Sequence, residues 1–265
     1  MSYASKILAL LALLLPMGYG LFIEPSWVEV TRWKREVGLG GVSFTIAQLS
    51  DLHISKIGKT EKQTLAILHA LKPDLILLTG DVIDQKDSLP ALKAFLQQLP
   101  PSIKVSILGN WEHWSDVNLQ TLAALYEQYD VALLVNRCIS LANKGVPLSI
   151  AGLDDYTTGM PDLEQTFRNC GEDEAVVLAE HSPGLFDESY SPGLGKIAFS
   201  LAGHTHGGQL AIGSKAIFTP RGSGQYVAGW YDTAWGDLYV SRGVGTSILP
   251  LRIGARPEVV LFEIR

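Results

Sequence analysis

The stretch Ala198-Phe199-Ser200-Leu201-Ala202-Gly203-His204-Thr205-His206-Gly207-Gly208 begins as an apolar run and stops at two histidines in a glycine frame. A short apolar run closed by glycine reads as a buried strand. Residues i and i+2 at a strand end point to the same side, so His204 and His206 can converge on one centre. Histidines framed by glycine gain nothing from packing, and the pattern reads as ligation. Four other apolar runs stop in the same manner: 44–49 before Asp51-Leu52-His53, 75–78 before Gly80-Asp81, 105–108 before Gly109-Asn110, and 175–179 before His181. Strands of one sheet deliver their C-terminal ends to a common edge, where ligands gather in α/β proteins.

Taken singly, these motifs say little, because an Asp-x-His arises by chance and Gly-Asp after a strand is often only a turn. Taken together they supply Asp51, His53, Asp81, Asn110, His181, His204 and His206, seven metal-ligand side chains. Such a mixed carboxylate, amide and imidazole set suits manganese, iron or zinc. Two cations about 3.5–4 Å apart need a bridging anion, and Asp81, on a tight turn after Gly80, is the candidate. Gly203, Gly207 and Gly208 would let backbone approach the ions closely. His69 falls inside a helical pattern and reads as structural or exposed.

The remaining sequence sets ordinary bounds. A chain of 265 residues with 47% hydrophobic content buries a substantial core. Its net charge of -6 leaves no basic footprint for nucleic acid. Cys138 and Cys170 are far apart, lack Cys-x-x-Cys spacing, and read as packing residues. Residues 7–23 carry no charge, follow Lys6 and precede Glu24-Pro25. That length is at the lower limit for crossing a bilayer. Residues 1–24 are therefore expected to be a membrane anchor, with a cleaved export signal as the alternative. Residues 25–265 are expected to form one domain. Strands are read at 28–32, 44–49, 131–135, 149–153, 225–228, 238–241 and 259–264, and helices at 60–71, 88–99 and 116–129. An alternating first half and a strand-rich second half predict two sheets covered by helices.

The ordered set Asp51-x-His53, Gly80-Asp81-x-x-Asp84, Gly109-Asn110, His181 and Gly203-His204-x-His206 resembles the calcineurin-like metallophosphoesterases. That resemblance runs from about residue 44 to the C-terminus. It implies a four-layer α-β-β-α sandwich, two mixed sheets flanked by helices, with a dinuclear centre at the strand ends. It further implies one metal on Asp51, His53, Asp81 and His206, and a second on Asp81, Asn110, His181 and His204. The implied activity is phosphoester hydrolysis by a hydroxide bridging the two metals, with manganese favoured among the cations. Gly207-Gly208-Gln209 and Ser241-Arg242-Gly243-Val244-Gly245 narrow the likeness to small bacterial members with an N-terminal anchor or signal, placed at the inner membrane. Some relatives there cleave nucleotide-linked lipids, so a pyrophosphatase acting on a substrate such as UDP-diacylglucosamine is expected. A metal-binding protein of the same fold with little turnover is the alternative.

One position departs from the family pattern, which usually reads Gly-Asn-His with the His assisting the leaving oxygen. Here Gly109-Asn110-Trp111-Glu112-His113 places an indole, a neutral donor, at that point. Three explanations follow: His113 acts instead, the substrate has a good leaving group, or the site serves binding. Asp84 is expected to orient a ligand, and Arg242 to contact substrate phosphate. Trp114, Trp230, Tyr231 and Trp235 are offered as exposed aromatics for an acyl chain or bilayer.

Overall fold

A strand that is buried at every position needs cover on both faces, and Leu75–Thr79 shows how it is supplied. All five residues are buried. Leu75 and Leu77 enter a core between two sheets, while Ile76 and Leu78 enter a second core beneath helices. The computed structural model describes residues 3–171, 174–189, 197–213 and 215–265.

In chain order the first half comprises α1 (Tyr3–Phe22), β1 (Glu29–Arg35), β2 (Phe44–Leu49), α2 (Lys59–Leu71), β3 (Leu75–Thr79), α3 (Leu89–Leu96), β4 (Ile103–Ile107), α4 (Asn110–Trp114), α5 (Leu119–Glu127) and β5 (Val131–Leu134). The second half comprises β6 (Arg137–Ser140), β7 (Leu148–Gly152), α6 (Leu163–Phe167), β8 (Ala175–Ala179), β9 (Ile197–Ala202), β10 (Ala211–Ile212), β11 (Lys215–Ala216), β12 (Gly229–Thr233), β13 (Gly236–Val240) and β14 (Glu258–Ile264). One six-stranded sheet runs β1-β14-β2-β3-β4-β5 and the other β12-β13-β9-β8-β7-β6. Both are mixed. In the first, only β14 and β2 pair antiparallel; in the second, the edge pairs β12–β13 and β6–β7 do.

The sheets face one another across Phe44, Ile46, Val105, Phe262, Ile150, Val177, Phe199 and Leu201. Outside the first sheet, Leu65 and Leu68 of α2, Leu92 and Phe95 of α3, and Leu122 and Tyr126 of α5 form the covering layer. Outside the second, Leu163 and Phe167 of α6 join Phe186 and Trp235. The expected four-layer sandwich is the observed one. Stacking both sheets brings the C-terminal ends of β2, β3, β4, β8 and β9 to one rim.

Several expectations are corrected. The strand read at 225–228 is a loop, because the Tyr231 hydroxyl accepts from the backbone N–H of Val227 and Ala228, and pairing with β13 starts at Gly229. Cys138 and Cys170 form a disulfide with Cα atoms 5.3 Å apart. The short α6 carries the chain back beside β6, a return that a spacing of 32 residues does not reveal. No helix among the described residues is long and apolar enough to cross a membrane. The segment expected to span does form α1, but its end is docked on the domain: Gly20 is buried, its carbonyl accepts from the Arg252 N–H at 3.0 Å, and Glu24 accepts from the Ala255 N–H at 2.8 Å.

Candidate metal centre

Five of the seven expected ligands sit in backbone that bulky residues avoid. Asp51, His53, Asp81, His204 and His206 all have φ between 44° and 70°. Left-handed backbone at a non-glycine residue is uncommon and costs about 1–3 kcal/mol. Its concentration at strand ends reflects a chain bent sharply so that side chains turn inward. Glycines make the room. A Cβ on Gly203 would lie 1.8 Å from Ser50 Oγ and 2.6 Å from Asp51 Oδ2, and one on Gly109 would lie 2.3 Å from Asp81 Oδ1. Gly207 and Gly208 instead leave space for Arg242 and Ala216.

The ligands gather in two groups. Asp51, His53 and His206 offer atoms within 4.8 Å of one another, as do Asp81, His181 and His204. In the first, His53 Nε2 and His206 Nε2 are 3.0 Å apart and His206 Nε2 lies 3.4 Å from Asp51 Oδ1. In the second, His181 Nε2 lies 3.1 Å from Asp81 Oδ2, and Asn110 Oδ1 lies 2.8 Å from His204 Nδ1. Asp81 Oδ2 also lies 3.8 Å from His53 Nε2, so this single oxygen stands between the groups. All seven side chains are buried.

The far side of three of the four imidazoles meets an acceptor, as in ligating histidines that donate their other ring nitrogen to a fixed acceptor, while His206 Nδ1 faces the Arg252 guanidinium. His181 Nδ1 pairs with the Thr79 carbonyl and His204 Nε2 with the Arg221 carbonyl, each at 2.8 Å. His53 Nδ1 pairs with Asp84. Of the inward nitrogens, those of His53 and His206 face each other and that of His204 faces Asn110 Oδ1, which leaves that of His181. His181 Nε2 is buried and lacks a hydrogen-bond partner, since it is close to Asp81 Oδ2 but poorly aligned with it. An orphaned buried imidazole nitrogen beside a carboxylate fits a cation between them. The residues present therefore fit two metals, with Asp81 common to both.

The charges agree. Burial works against ionisation of Asp81, yet the charges of His181, His53 and His204 bring its pKa down to about 2. Burial depresses His53 and His181, but neighbouring carboxylates more than offset it, and both are raised, His181 strongly. Burial followed by the charge of His181 lowers His204, and burial followed by the charges of His53 and Arg252 lowers His206.

Two supports escaped the sequence reading. Glu112 is buried, and its carboxylate accepts from the backbone N–H of Gly109, Asp81, Val82 and Ile83. It thereby clamps the turn bearing Asp81 to the turn bearing Asn110. Arg252 is fully buried, donates to the carbonyls of Gly245, Ala255 and His206, and lies 3.3 Å from His206 Nδ1. Burial, ahead of nearby charges, lowers its pKa to about 10. Glu112 had a faint signal, an acid three residues after Gly109 at the start of α4; Arg252 had none.

Other expected residues go elsewhere. His113 turns to Asp154, with Nε2 and Oδ1 2.8 Å apart. Arg242, expected at substrate phosphate, is tied instead to Glu29 and Glu258 at 2.9 Å each. Of the aromatics offered as exposed, Trp235 is buried and donates Nε1–H to the Glu188 carbonyl. Trp230 is half-buried against Phe199 and Phe262 with the Arg35 guanidinium over its ring, and the Tyr231 hydroxyl is bonded to backbone. Trp114 alone stays exposed. It lines, with Trp111, a cavity of about 370 Å³ whose floor is Asp81, Asn110, His204 and His206. His69 sits on α2 against the Gln98 carbonyl, away from the centre.

Residues 44–208 match the family model of the calcineurin-like phosphoesterases. The chain is 32% identical over 260 residues to the uncharacterized metallophosphoesterase YkuE of Bacillus subtilis, covering 94% of this chain and 89% of that protein. It is 29% identical to the phosphodiesterase YaeI of Escherichia coli, covering 93% and 92% of the two chains. An uncharacterized metallophosphoesterase of Aquifex aeolicus is also 29% identical, covering 93% of each.

Proposed function

The chain belongs to the calcineurin-like phosphoesterase family and is a hydrolase acting on phosphoesters, and from that premise we propose a two-metal hydrolysis of phosphodiester or pyrophosphate bonds. The observation that carries it is the position of Asp81 Oδ2, between His181 Nε2 at 3.1 Å and His53 Nε2 at 3.8 Å. Two bound divalent cations would activate a water nucleophile and neutralise phosphoryl oxygens. Manganese is the proposed metal, with iron and zinc compatible with the same donors.

The protein's own groups hold the geometry. Asp51, His53, Asp81 and His206 would hold one cation, and Asp81, Asn110, His181 and His204 the other. The Trp111 backbone N–H bonds Asp81 Oδ1 and leaves Oδ2 for sharing. Asp84 and the Arg221 carbonyl fix the orientation of His53 and His204. The Trp111 indole cannot transfer a proton, which supports a substrate whose leaving group departs as an anion. A nucleotide-linked lipid such as UDP-diacylglucosamine meets that requirement. The Cys138–Cys170 disulfide supports residence in an oxidising compartment outside the cytosol.

The test is hydrolysis of a generic aryl phosphodiester by the manganese-loaded full chain, with metal content measured beside it. Asp81→Ala is expected to reduce bound metal below two per chain and turnover by at least about 10²-fold. Undiminished turnover would overturn the site assignment.

A further inference from the structure

Residues 251–255 run between the end of α1 and the turn that carries His206. Toward α1, the Arg252 N–H donates to the Gly20 carbonyl at 3.0 Å and the Ala255 N–H to Glu24 Oε1 at 2.8 Å. Toward the turn, the Ile253 N–H donates to the Gln209 carbonyl at 3.0 Å, and its carbonyl accepts from the Ala211 N–H at 2.7 Å. The α1 side is closely fitted. Gly20 is buried, and a Cβ there would lie 2.6 Å from side-chain atoms of Leu251 and Ile253 and 2.9 Å from the Arg252 carbonyl oxygen. Glu24 is 1% exposed, an uncommon burial for a carboxylate.

From this segment, contacts reach two of the three side chains grouped as Asp51, His53 and His206. Arg252 donates to the carbonyls of His206 and Gly245, at 3.3 and 2.9 Å. Gly245 in turn donates its N–H to the Asp51 carbonyl at 2.7 Å, and a Cβ on it would lie 2.2 Å from the Leu52 carbonyl oxygen. Asp51 and His206 hold φ of 51° and 52°, a backbone that persists only where surrounding contacts impose it. Among the described residues, no hydrogen bond joins residues 20–24 or 251–255 to Asp81, Asn110, His181 or His204. We propose that residues 20–24 are a positioning element for the metal centre: by holding 251–255 they keep Arg252 on His206 and Gly245 on Asp51, and so set the metal affinity of that half of the centre. This rests on the two-metal reading above. Ligand geometry must be held to within about 0.5 Å, and here the hold comes from a helix end far away in the sequence.

The experiment titrates manganese into the metal-free full chain and into Glu24→Ala, Glu24→Gln and Gly20→Ala. Gly18→Ala is the control, because a Cβ there meets nothing within 4 Å. Electron paramagnetic resonance tells a coupled pair of ions from a single one. In Glu24→Ala and Gly20→Ala one of the two ions should bind about tenfold more weakly, the other should be unchanged, and a single-ion spectrum should appear at intermediate metal. Glu24→Gln, which keeps an acceptor oxygen, should recover part of the loss, and Gly18→Ala should match the unaltered chain. Unchanged titrations of Glu24→Ala and Gly20→Ala would overturn the proposal. Equal weakening of both ions would also overturn it, as a general loss of structure.

Hydrogen exchange without metal separates this proposal from the two-metal reading. The N–H groups of Gly208, Gln209 and Ala211 should exchange faster in Glu24→Ala and Gly20→Ala, while those of Asp81, Val82 and Ile83 should not. Should the unaltered chain bind fewer than two manganese ions, the two-metal reading falls and exchange alone decides: faster exchange at the His206 turn supports the positioning role, and unchanged exchange overturns it.

Discussion

The backbone N–H of Trp111 donates to Oδ1 of Asp81 at 2.8 Å. The residue that breaks the family pattern in its side chain thus keeps a structural duty through its main chain, because α4 begins at Asn110 and presents the N–H of its first turn to the carboxylate. Asp81 Oδ1 is held, and Oδ2 is left facing both histidine groups. Side-chain identity at position 111 is therefore free to vary without moving the proposed bridge.

Replacing Trp111→His tests what that freedom costs in chemistry. The variant should keep two metals and gain up to about 10²-fold on esters with poor leaving groups, the scale of general acid catalysis. Esters of p-nitrophenol, which need no proton, should change little. Equal acceleration of both classes would mean that the indole obstructs the cavity rather than lacking an acid.

Glu112 carries a denser load than any ligand. Its two oxygens receive four backbone N–H groups, between 2.6 and 3.3 Å away. Glu112→Gln must turn its own N–H donors toward some of them and leave those donors buried and unpaired. Chemical denaturation should show a loss of about 2–4 kcal/mol, with weaker metal binding in the folded protein. Unchanged stability would refute the clamp.

Asp84 is bonded to the outer nitrogen of His53. Removing such a partner typically costs about 10–100-fold in metal affinity or activity, so Asp84→Ala should titrate metal more weakly by that factor. Asp84→Asn, which still presents an acceptor oxygen, should recover part of it. A purely structural turn residue would show no such rescue.

His113 and Asp154 make a pH-dependent pair apart from the ligands. The hydrogen bond that His113 donates to Asp154 is the main cause of the raised His113 pKa, opposed by burial. For Asp154, burial pushes upward, but the bond and charge of His113 prevail and lower it. A histidine raised above its unfolded value of about 6.5 contributes stability fully below that pH and loses it as pH rises through the folded pKa. The depressed Asp154 contributes above its unfolded value of about 3.9 and loses its share as pH falls through its folded pKa. The stability difference between the protein and His113→Ala should therefore be larger at about pH 5.5 than at about pH 9. A difference independent of pH would show that the pair is not ionic.

Much of this molecule was legible in its sequence for a local reason. Strands β2, β3, β4, β8 and β9 are short apolar runs ended by ligands, and both halves of that pattern lie within a few consecutive residues. A ligand at a strand end needs no knowledge of which strand lies beside it. Asp84 was legible on the same ground, three residues from Asp81. The strand at 225–228 was misread because apolar content there serves a loop held by one hydroxyl, that of Tyr231.

By itself, then, the sequence determined the seven candidate ligands, their order and the two-sheet sandwich, since strand periodicity and glycine-framed histidines are encoded at short range. Only the tertiary structure decided which groups support or surround them. Glu112 meets Asp81 across 31 residues, Arg252 meets His206 across 46, and Cys138 meets Cys170 across 32. It also decided that Trp230 and Trp235 are packed while Phe218 and Ile248 stand open beside the candidate metal centre. The physical reason is one and the same: burial and pairing belong to the stacking of two sheets, and no single segment contains that stacking.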